Sequence, residues 1–333
     1  MRILLVDKTF KGEPDIEREM LGAAGEFECH DAAEQVPETS WRAAHGVQTF
    51  RASAFVNAMA DRLDNCRIIV RGGVGFDGFD LAALGARGIA VCNVPDYGTT
   101  EVADHAIALM LGLRRGVVTF HDALRADPVA GFDHAAAPCL ERLRGRRFGI
   151  AGLGRIGTAT ARRARGFDME VAFYDPYLPD GVDLATGYTR LHSIEELFET
   201  SDAISLHTPL TDETRGIVNA ALLARVKPGA VLINTARGPV VDLDALYRAL
   251  KHGRLGGAAI DVYATEPPDP GHPLVKAYTG REAWLDGRLI LTPHAAFYSA
   301  EGSRDLRRKC VETALAYLRD GRLRNCVNRE WLV

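Results

Sequence analysis

The sequence predicts an α/β protein of two domains, built on parallel sheets with helices on both faces. Three observations point there. At 333 residues the chain is longer than one hydrophobic core usually serves. Short apolar runs alternate with longer stretches of helical period, the βαβα order that gives parallel sheets. A glycine-rich G-x-G-x-x-G turn follows an apolar run, and does so twice.

Taken in order, strands are expected at residues 3–6, 67–70, 89–94, 148–151, 170–174, 203–207, 230–235, 258–262 and 289–292. Helices are expected at 159–166, 194–200, 219–226 and 243–252. A last helix near 303–319 carries an apolar stripe of Leu306, Cys310, Leu315 and Leu318. The Ala/Pro/Gly-rich stretch 127–138 reads as a surface loop. The stretch 267–287 reads as a long loop, a length often kept for function.

Composition excludes several classes. A net charge of −4 and a pI near 6.2 give no electrostatic case for nucleic acid or an anionic membrane. The basic stretch Arg142, Arg144, Arg146, Arg147 reads as a solvated loop. Six cysteines contain no C-x-x-C pair, so neither a metal site nor a disulfide framework is expected, and reduced thiols in a cytoplasm are. The apolar start, Ile3 to Val6, is far too short for a signal peptide. No run approaches the roughly 18 apolar residues of a membrane helix.

The two glycine patterns are Gly73-Val74-Gly75-Phe76-Asp77-Gly78 and Gly152-Leu153-Gly154-Arg155-Ile156-Gly157. Each has an aspartate eighteen residues beyond its last glycine, Asp96 and Asp175. Charge separates them. A pyrophosphate needs the free N–H groups of a helix N-terminus. In the first copy Asp77 and Asp80 would repel it and cap the helix themselves. The second copy has no acid from Gly152 to Phe167 and a basic helix after it. The dinucleotide is therefore expected at the second copy, with Asp175 holding the ribose hydroxyls. A carboxylate there repels a 2′-phosphate and no Arg or Lys follows it, so NAD is expected rather than NADP. The first copy is left with backbone amides for a smaller anion.

Three residues follow expected strands in the second half: Arg237, Glu266 and His294. In an open parallel sheet the ligand lies beyond the carboxyl ends of the strands. Oxidising a secondary alcohol needs a base for its hydroxyl proton, and histidine suits that task. A carboxylate beside it steadies the imidazolium, and an arginine matches an acid substrate.

On the motifs Gly152-Leu-Gly-Arg-Ile-Gly157, Asn234-Thr-Ala-Arg-Gly238, Asp261 through Glu266-Pro267, and Thr292-Pro-His-Ala295, the chain resembles the D-isomer-specific 2-hydroxyacid dehydrogenases over essentially its whole length. Within that family it is similar to the C-terminal-binding-protein branch at residues 67–72, 89–95, 173–177, 294–299 and 325–328. The resemblance implies two Rossmann-like, doubly wound parallel-sheet domains with the active site in the cleft between them. It implies a flavodoxin-like substrate domain at 1–99 and 298–333, an NAD-binding domain at 100–297, and a homodimer through the cofactor domains.

The resemblance also implies roles. His294 is the acid/base, Glu266 its partner, and Arg237 binds the substrate's carboxylate and keto oxygens. Arg71 with the amides of Val74 and Gly75 forms a facing anion site, and Phe297 lies in the substrate pocket; Arg51 and Tyr97 are also expected to border the substrate, on no family motif. Gly152, Gly154, Arg155, Ile156 and Gly157 take the pyrophosphate, and Asp175 the adenosine ribose. His207, Thr208, Pro209 and Thr214 line the adenine side. Thr235, Ala236 and Asp261 hold the nicotinamide end. Two positions depart from the branch: Phe297 stands where it has Trp, and Val102 where it has a cofactor-contacting Thr, leaving only a backbone contact.

The implied reaction is hydride transfer between NAD and a small 2-hydroxy or 2-keto acid. One alternative is an NAD(H)-sensing binding protein, disfavoured by the intact trio and by a chain without the long flanking tails of corepressors. Another is a dehydrogenase of a phosphorylated hydroxy acid such as 3-phosphoglycerate. That would need further cations, for which Arg51 and Arg114 are candidates.

Overall fold

The computed structural model describes all 333 residues. The chain divides into two compact units, Met1–Gly98 with Tyr298–Val333, and Thr99–Phe297.

The first unit runs β1 (Arg2–Leu5), α1 (Asp15–Leu21), β2 (Glu26–Cys29), α2 (Glu38–Ala43), β3 (Gly46–Thr49), α3 (Ser53–Ala58), β4 (Ile68–Arg71), α4 (Leu81–Ala86) and β5 (Ala90–Asn93). All five strands are parallel, in the order β2-β1-β3-β4-β5. Alternation along each strand divides the core into two layers. Leu4, Val47, Ile69 and Val91 pack with Trp41, Val56 and Leu84. Ile3, Leu5, Ile68 and Val70 pack with Leu306, Cys310 and Val311 from the end of the chain.

The second unit runs α5 (Thr99–Arg114), α6 (Val117–Ala126), β6 (Arg147–Ala151), α7 (Arg155–Arg165), β7 (Glu170–Tyr174), α8 (Val182–Thr186), β8 (Thr189–Arg190), α9 (Ile194–Thr200), β9 (Ala203–Leu206), α10 (Ala220–Arg225), β10 (Val231–Asn234), α11 (Leu243–Lys251), β11 (Gly257–Ile260), α12 (Pro273–Thr279) and β12 (Leu289–Leu291). Its seven parallel strands lie in the order β12-β11-β10-β9-β6-β7-β8. The order reverses at β6, which has β7 on one side and β9 on the other. The loop after β6 therefore sits at a topological switch point, where such sheets bind ligands. The chain then returns to the first unit as α13 (Ala300–Asp320), capped by the Ser299 hydroxyl, which accepts from the Gly302 N–H at 2.8 Å.

Several readings of the sequence need correction. Strands β2, β3 and β8 were not expected, because Glu-Phe-Glu-Cys, Gly-Val-Gln-Thr and Thr-Arg offer no apolar run. Helix α5 was not expected either. Its buried positions crowd most of its surface, so the one-sided period that marks an amphipathic helix is weak. The stretch 267–287 is not simply a loop. The His272 ring accepts the Leu274 N–H at 3.1 Å and Pro273 opens α12. The basic stretch 142–147 is not merely solvated: Arg147 begins β6, and Arg146 pairs with Glu141 at 2.9 Å.

Candidate active site

The second glycine turn leads from β6 straight into α7, and each glycine does a different job. Gly152 has φ +87°, and a Cβ there would stand 3.0 Å from the carbonyl of His207. A Cβ on Gly157 would stand 2.1 Å from the carbonyl oxygen of Gly152, so this glycine lets helix and strand close. A Cβ on Gly154 would meet nothing within 4 Å. That position opens on free space, at the N-cap of α7, with no side chain to cap the helix amides. Arg155 is exposed and Ile156 half-buried beside it. A backbone cradle of this kind admits a pyrophosphate.

The first glycine turn is built differently. Its helix, α4, starts beyond the glycines, and the Asp80 carboxylate caps it by accepting the Ala83 N–H at 3.0 Å. The turn instead carries Arg71, whose Nη1 donates to the Gly72 carbonyl at 3.0 Å. Gly73, at φ +147°, lies directly under that guanidinium. Asn93 steadies the turn by donating to the Val74 carbonyl at 2.6 Å, and Gly75 follows half-buried. Arg51 is exposed at the end of β3, and Tyr97 packs partly buried against the core of this unit.

Asp175 follows β7, and its carboxylate accepts the N–H groups of Leu153 at 3.0 Å and Tyr177 at 3.1 Å. It thereby ties the end of β7 to the glycine turn. After β9, Thr214 shapes the next loop: its hydroxyl donates to the Pro209 carbonyl at 2.7 Å and accepts the Thr211 N–H at 2.8 Å. The His207 ring hydrogen-bonds Ser205 at 2.9 Å, and burial pushes its pKa down to about 3, so it is neutral. Val102 is buried in the first turn of α5.

Two hydroxyls test whether a dinucleotide fits. Thr208 Oγ1 and Thr235 Oγ1 are buried without a hydrogen-bond partner. Buried polar groups are normally satisfied, so two orphans among the residues expected to hold the cofactor mark places for ligand atoms. The residues fit the group. Asp175 and the α7 amides would hold its adenosine ribose and pyrophosphate, and Thr235 with Ala236 its nicotinamide end.

His294 Nδ1 lies 2.7 Å from Glu266 Oε2. Glu266 Oε1 accepts the Tyr263 N–H at 3.1 Å. Partial burial of Glu266 raises its pKa, but the His294 bond, the Tyr263 N–H and the charges of His294 and Arg237 outweigh it, leaving the carboxyl below its usual range. Arg237 Nη1 donates to the Ala236 carbonyl at 2.6 Å. The turn that presents Arg237 is set by Asn234, wholly buried, which accepts the Ala236 N–H and donates to the Arg237 carbonyl, each at 3.0 Å. The Phe297 ring meets the imidazole edge-on at 5.8 Å between centroids. The arrangement can hold a proton on the imidazole beside a paired carboxylate and an arginine.

Asp261 is wholly buried and engages the segment after β12. Its main-chain carbonyl accepts the His294 N–H at 2.8 Å. Its carboxylate accepts the N–H groups of Ala295 at 2.9 Å and Ala296 at 3.1 Å.

Arg114 is not available to a substrate. It is buried, donates to the carbonyls of Cys139 and Asp202, and pairs with Glu141 at 3.2 Å. Sequence reasoning assigned no role to Asn234, Asn93, Tyr263, Thr292 or His105, although Asn234, Thr292 and Asn93 stand within the motif stretches. A polar residue closing an apolar strand, as in Val-Leu-Ile-Asn234, was the available signal for the first.

Residues 107–296 match the family described as D-isomer specific 2-hydroxyacid dehydrogenase, NAD binding domain. A glyoxylate reductase of Korarchaeum cryptofilum is 36% identical over 285 residues, 83% of each chain. An NADPH-dependent glyoxylate/hydroxypyruvate reductase from Sinorhizobium meliloti, solved with NADP and malonate, superposes with a TM-score of 0.82 at 30% identity, covering 98% of this chain and 96% of that one. A D-lactate dehydrogenase from Aquifex aeolicus, solved with NAD and lactic acid, gives 0.81 at 28% identity and 96% of each chain.

Proposed function

Because the chain belongs to the D-isomer-specific 2-hydroxyacid dehydrogenase family, we propose that it reduces a small 2-keto acid to the 2-hydroxy acid with NADH, using Arg237, Glu266 and His294. The protein is an oxidoreductase with a NAD-binding domain, and 2-keto acid reduction is its reaction class. The observation that carries the assignment of roles is the 2.7 Å bond between His294 Nδ1 and Glu266. It leaves Nε2 to face the substrate.

The dinucleotide, when bound, supplies the hydride to the keto carbon. His294 Nε2 gives its proton to the keto oxygen as the alkoxide forms, and takes it back in the reverse direction. Glu266 stabilises the imidazolium before transfer and holds the ring in place. Arg237 binds the substrate carboxylate in fork geometry. On the family resemblance, Arg71 and the amides of Val74 and Gly75 also serve the carboxylate and Phe297 borders its side chain, and Arg51 and Tyr97 are the other residues proposed to border it.

The carboxylate of Asp175 supports NADH over NADPH, although the Sinorhizobium meliloti enzyme is NADPH-dependent. The unit Thr99–Phe297 is assigned as the cofactor domain and the other as the substrate domain. Exposed Val117, Val118, Leu124, Val129 and Phe132, on and after α6, support a homodimer formed through the cofactor domains. Free thiols at all six cysteines support a reducing compartment, the cytoplasm.

Likeness to the C-terminal-binding-protein branch rests on the sequence stretches alone. With the trio in place and glyoxylate reductases among the relatives, the sensor reading is not favoured. With Arg114 committed elsewhere, a phosphorylated substrate keeps only Arg51 of its two candidate cations. The test is loss of NADH absorbance against a panel of keto acids, from glyoxylate and pyruvate to branched, aromatic and phosphorylated acids. Turnover of one member establishes the substrate; tight NADH binding without any turnover would overturn the proposal.

A further inference from the structure

We propose that His105 is a positioning residue for this reduction, acting through Thr292 and Asp261 on the segment that carries His294. The inference rests on the assignment of His294 as proton donor.

His294 sits at φ +53°, a left-handed conformation that is disfavoured for an L-residue. It is kept there by convergence. The N–H groups of His294, Ala295 and Ala296, three in succession, all donate to Asp261. The Asp261 carboxylate is therefore the anchor of the catalytic segment, and it lies wholly out of solvent. A carboxylate so placed has to be supplied with donors on every side.

The donor on its remaining side is Thr292, and His105 stands behind that hydroxyl. The Thr292 hydroxyl lies 2.6 Å from Asp261 Oδ1. His105 Nε2, reaching across from α5, lies 3.2 Å from that hydroxyl oxygen and 3.6 Å from Asp261 Oδ1. A hydroxyl has one proton, and a carboxylate at 2.6 Å takes it. Thr292 can then only accept from His105, so the hydrogen sits on Nε2. The chain of donation has one direction: His105 to Thr292, Thr292 to Asp261, with the three amides closing from the other side. Tyr263 adds to the same knot, its hydroxyl donating to the Thr292 carbonyl at 3.0 Å. Without the imidazole donor the Thr292 hydroxyl loses the partner that holds its rotamer, and the anchor loosens. A small displacement of the acid/base is expensive, because misplacement by an ångström costs about 10²-fold in rate.

The test uses full-length enzyme, NADH and a keto acid that the wild type reduces. His105→Phe should lower kcat by about tenfold or more while the KM and the NADH Kd, read by fluorescence, stay within about threefold. His105→Gln, whose amide N–H replaces Nε2–H, should recover most of the loss. In a Thr292→Val background His105→Phe should cost less than about twofold more, because its path is already cut. A kcat for His105→Phe within about twofold of wild type would overturn the inference, as would equal losses for Phe and Gln, or a loss undiminished by Thr292→Val. Should the Phe variant not fold, His105→Asn, whose shorter amide stops short of Thr292, is compared with Gln under the same outcomes. His294→Gln separates the two assignments. Turnover retained there sinks the proton-donor role itself; turnover lost there, with His105→Phe fully active, sinks only the role of His105.

Discussion

Gly238 lies against the backbone of Tyr263 so closely that a Cβ would stand 1.9 Å from the Tyr263 carbonyl carbon and 2.3 Å from the Ala264 nitrogen. Gly238 follows Arg237, and Tyr263 gives its N–H to Glu266. The contact therefore sets the arginine turn against the carboxylate loop. The neighbours are backbone and cannot step aside. Gly238→Ala should lower kcat by about 10²-fold and reduce the melting temperature as well, read from steady-state kinetics and a thermal melt. A fully active Ala variant would show that this spacing does not matter to the chemistry.

Glu266→Gln keeps the shape of the loop and removes the negative charge beside His294 Nδ1. The imidazolium then loses its counter-charge, so the pH–rate profile for oxidation of the hydroxy acid should move to lower pH, with reduced turnover. An unmoved profile would argue that the carboxylate only orients the ring.

The glycine turn offers a matched pair. Gly154 faces open space, so Gly154→Ala should leave the melting temperature unchanged while weakening NADH binding about tenfold or more, by obstructing the pyrophosphate. Gly157 faces the Gly152 carbonyl, so Gly157→Ala should lower the melting temperature too. Fluorescence titration with NADH and thermal melts read both. Equal effects of the two substitutions on stability would contradict the division of labour.

Asp175, proposed to hold the adenosine ribose, accepts two backbone N–H groups. Asp175→Ala should narrow the preference for NADH over NADPH, and weaken NADH binding by about 1–3 kcal/mol. Initial rates with both cofactors check this. A preference that survives intact would assign selectivity to another group.

Asp202 is a structural carboxylate, buried at the start of β9. Burial raises its pKa, but Lys227 Nζ at 2.6 Å, the Arg147 N–H at 2.8 Å and the charge of Arg146 bring it below the usual carboxylate range. A depressed folded-state pKa means stability that is full above the unfolded value, about 3.9, and lost as the pH falls through the folded one. Asp202→Asn should cost about 1–3 kcal/mol at neutral pH, and the gap to wild type should close on acidification below that range. Chemical denaturation at pH 7 and in acid measures both; a constant gap would refute the role of the charge.

Much of this protein was readable from local chemistry. The strand Glu170–Tyr174 and the helix Ile194–Thr200 have the bounds that their apolar periods indicate. The preference for the second glycine turn followed from the charges within sixteen residues, because a helix N-terminus and its neighbours in sequence share one electrostatic neighbourhood. Strand boundaries elsewhere slipped by one or two residues, since a strand ends where its partner does. The helices expected from 159 and 303 start earlier, at Arg155 and Ala300, because their first turns carry no apolar period. Strands β2 and β3 went unseen because pairing partners, rather than their own side chains, make them strands.

What the sequence by itself determined is the α/β class, the glycine cradle, the family motifs and the residue types of the trio. Only the tertiary structure decided which donors meet which acceptors. It placed Nδ1 of His294 on Glu266, took Arg114 out of the substrate's reach, and gathered His105, Thr292 and Asp261 from three elements. The physical reason is range. Periodicity and charge within a segment are set by neighbours along the chain, whereas a hydrogen bond between residues 105 and 292 exists only after helix and sheet have packed.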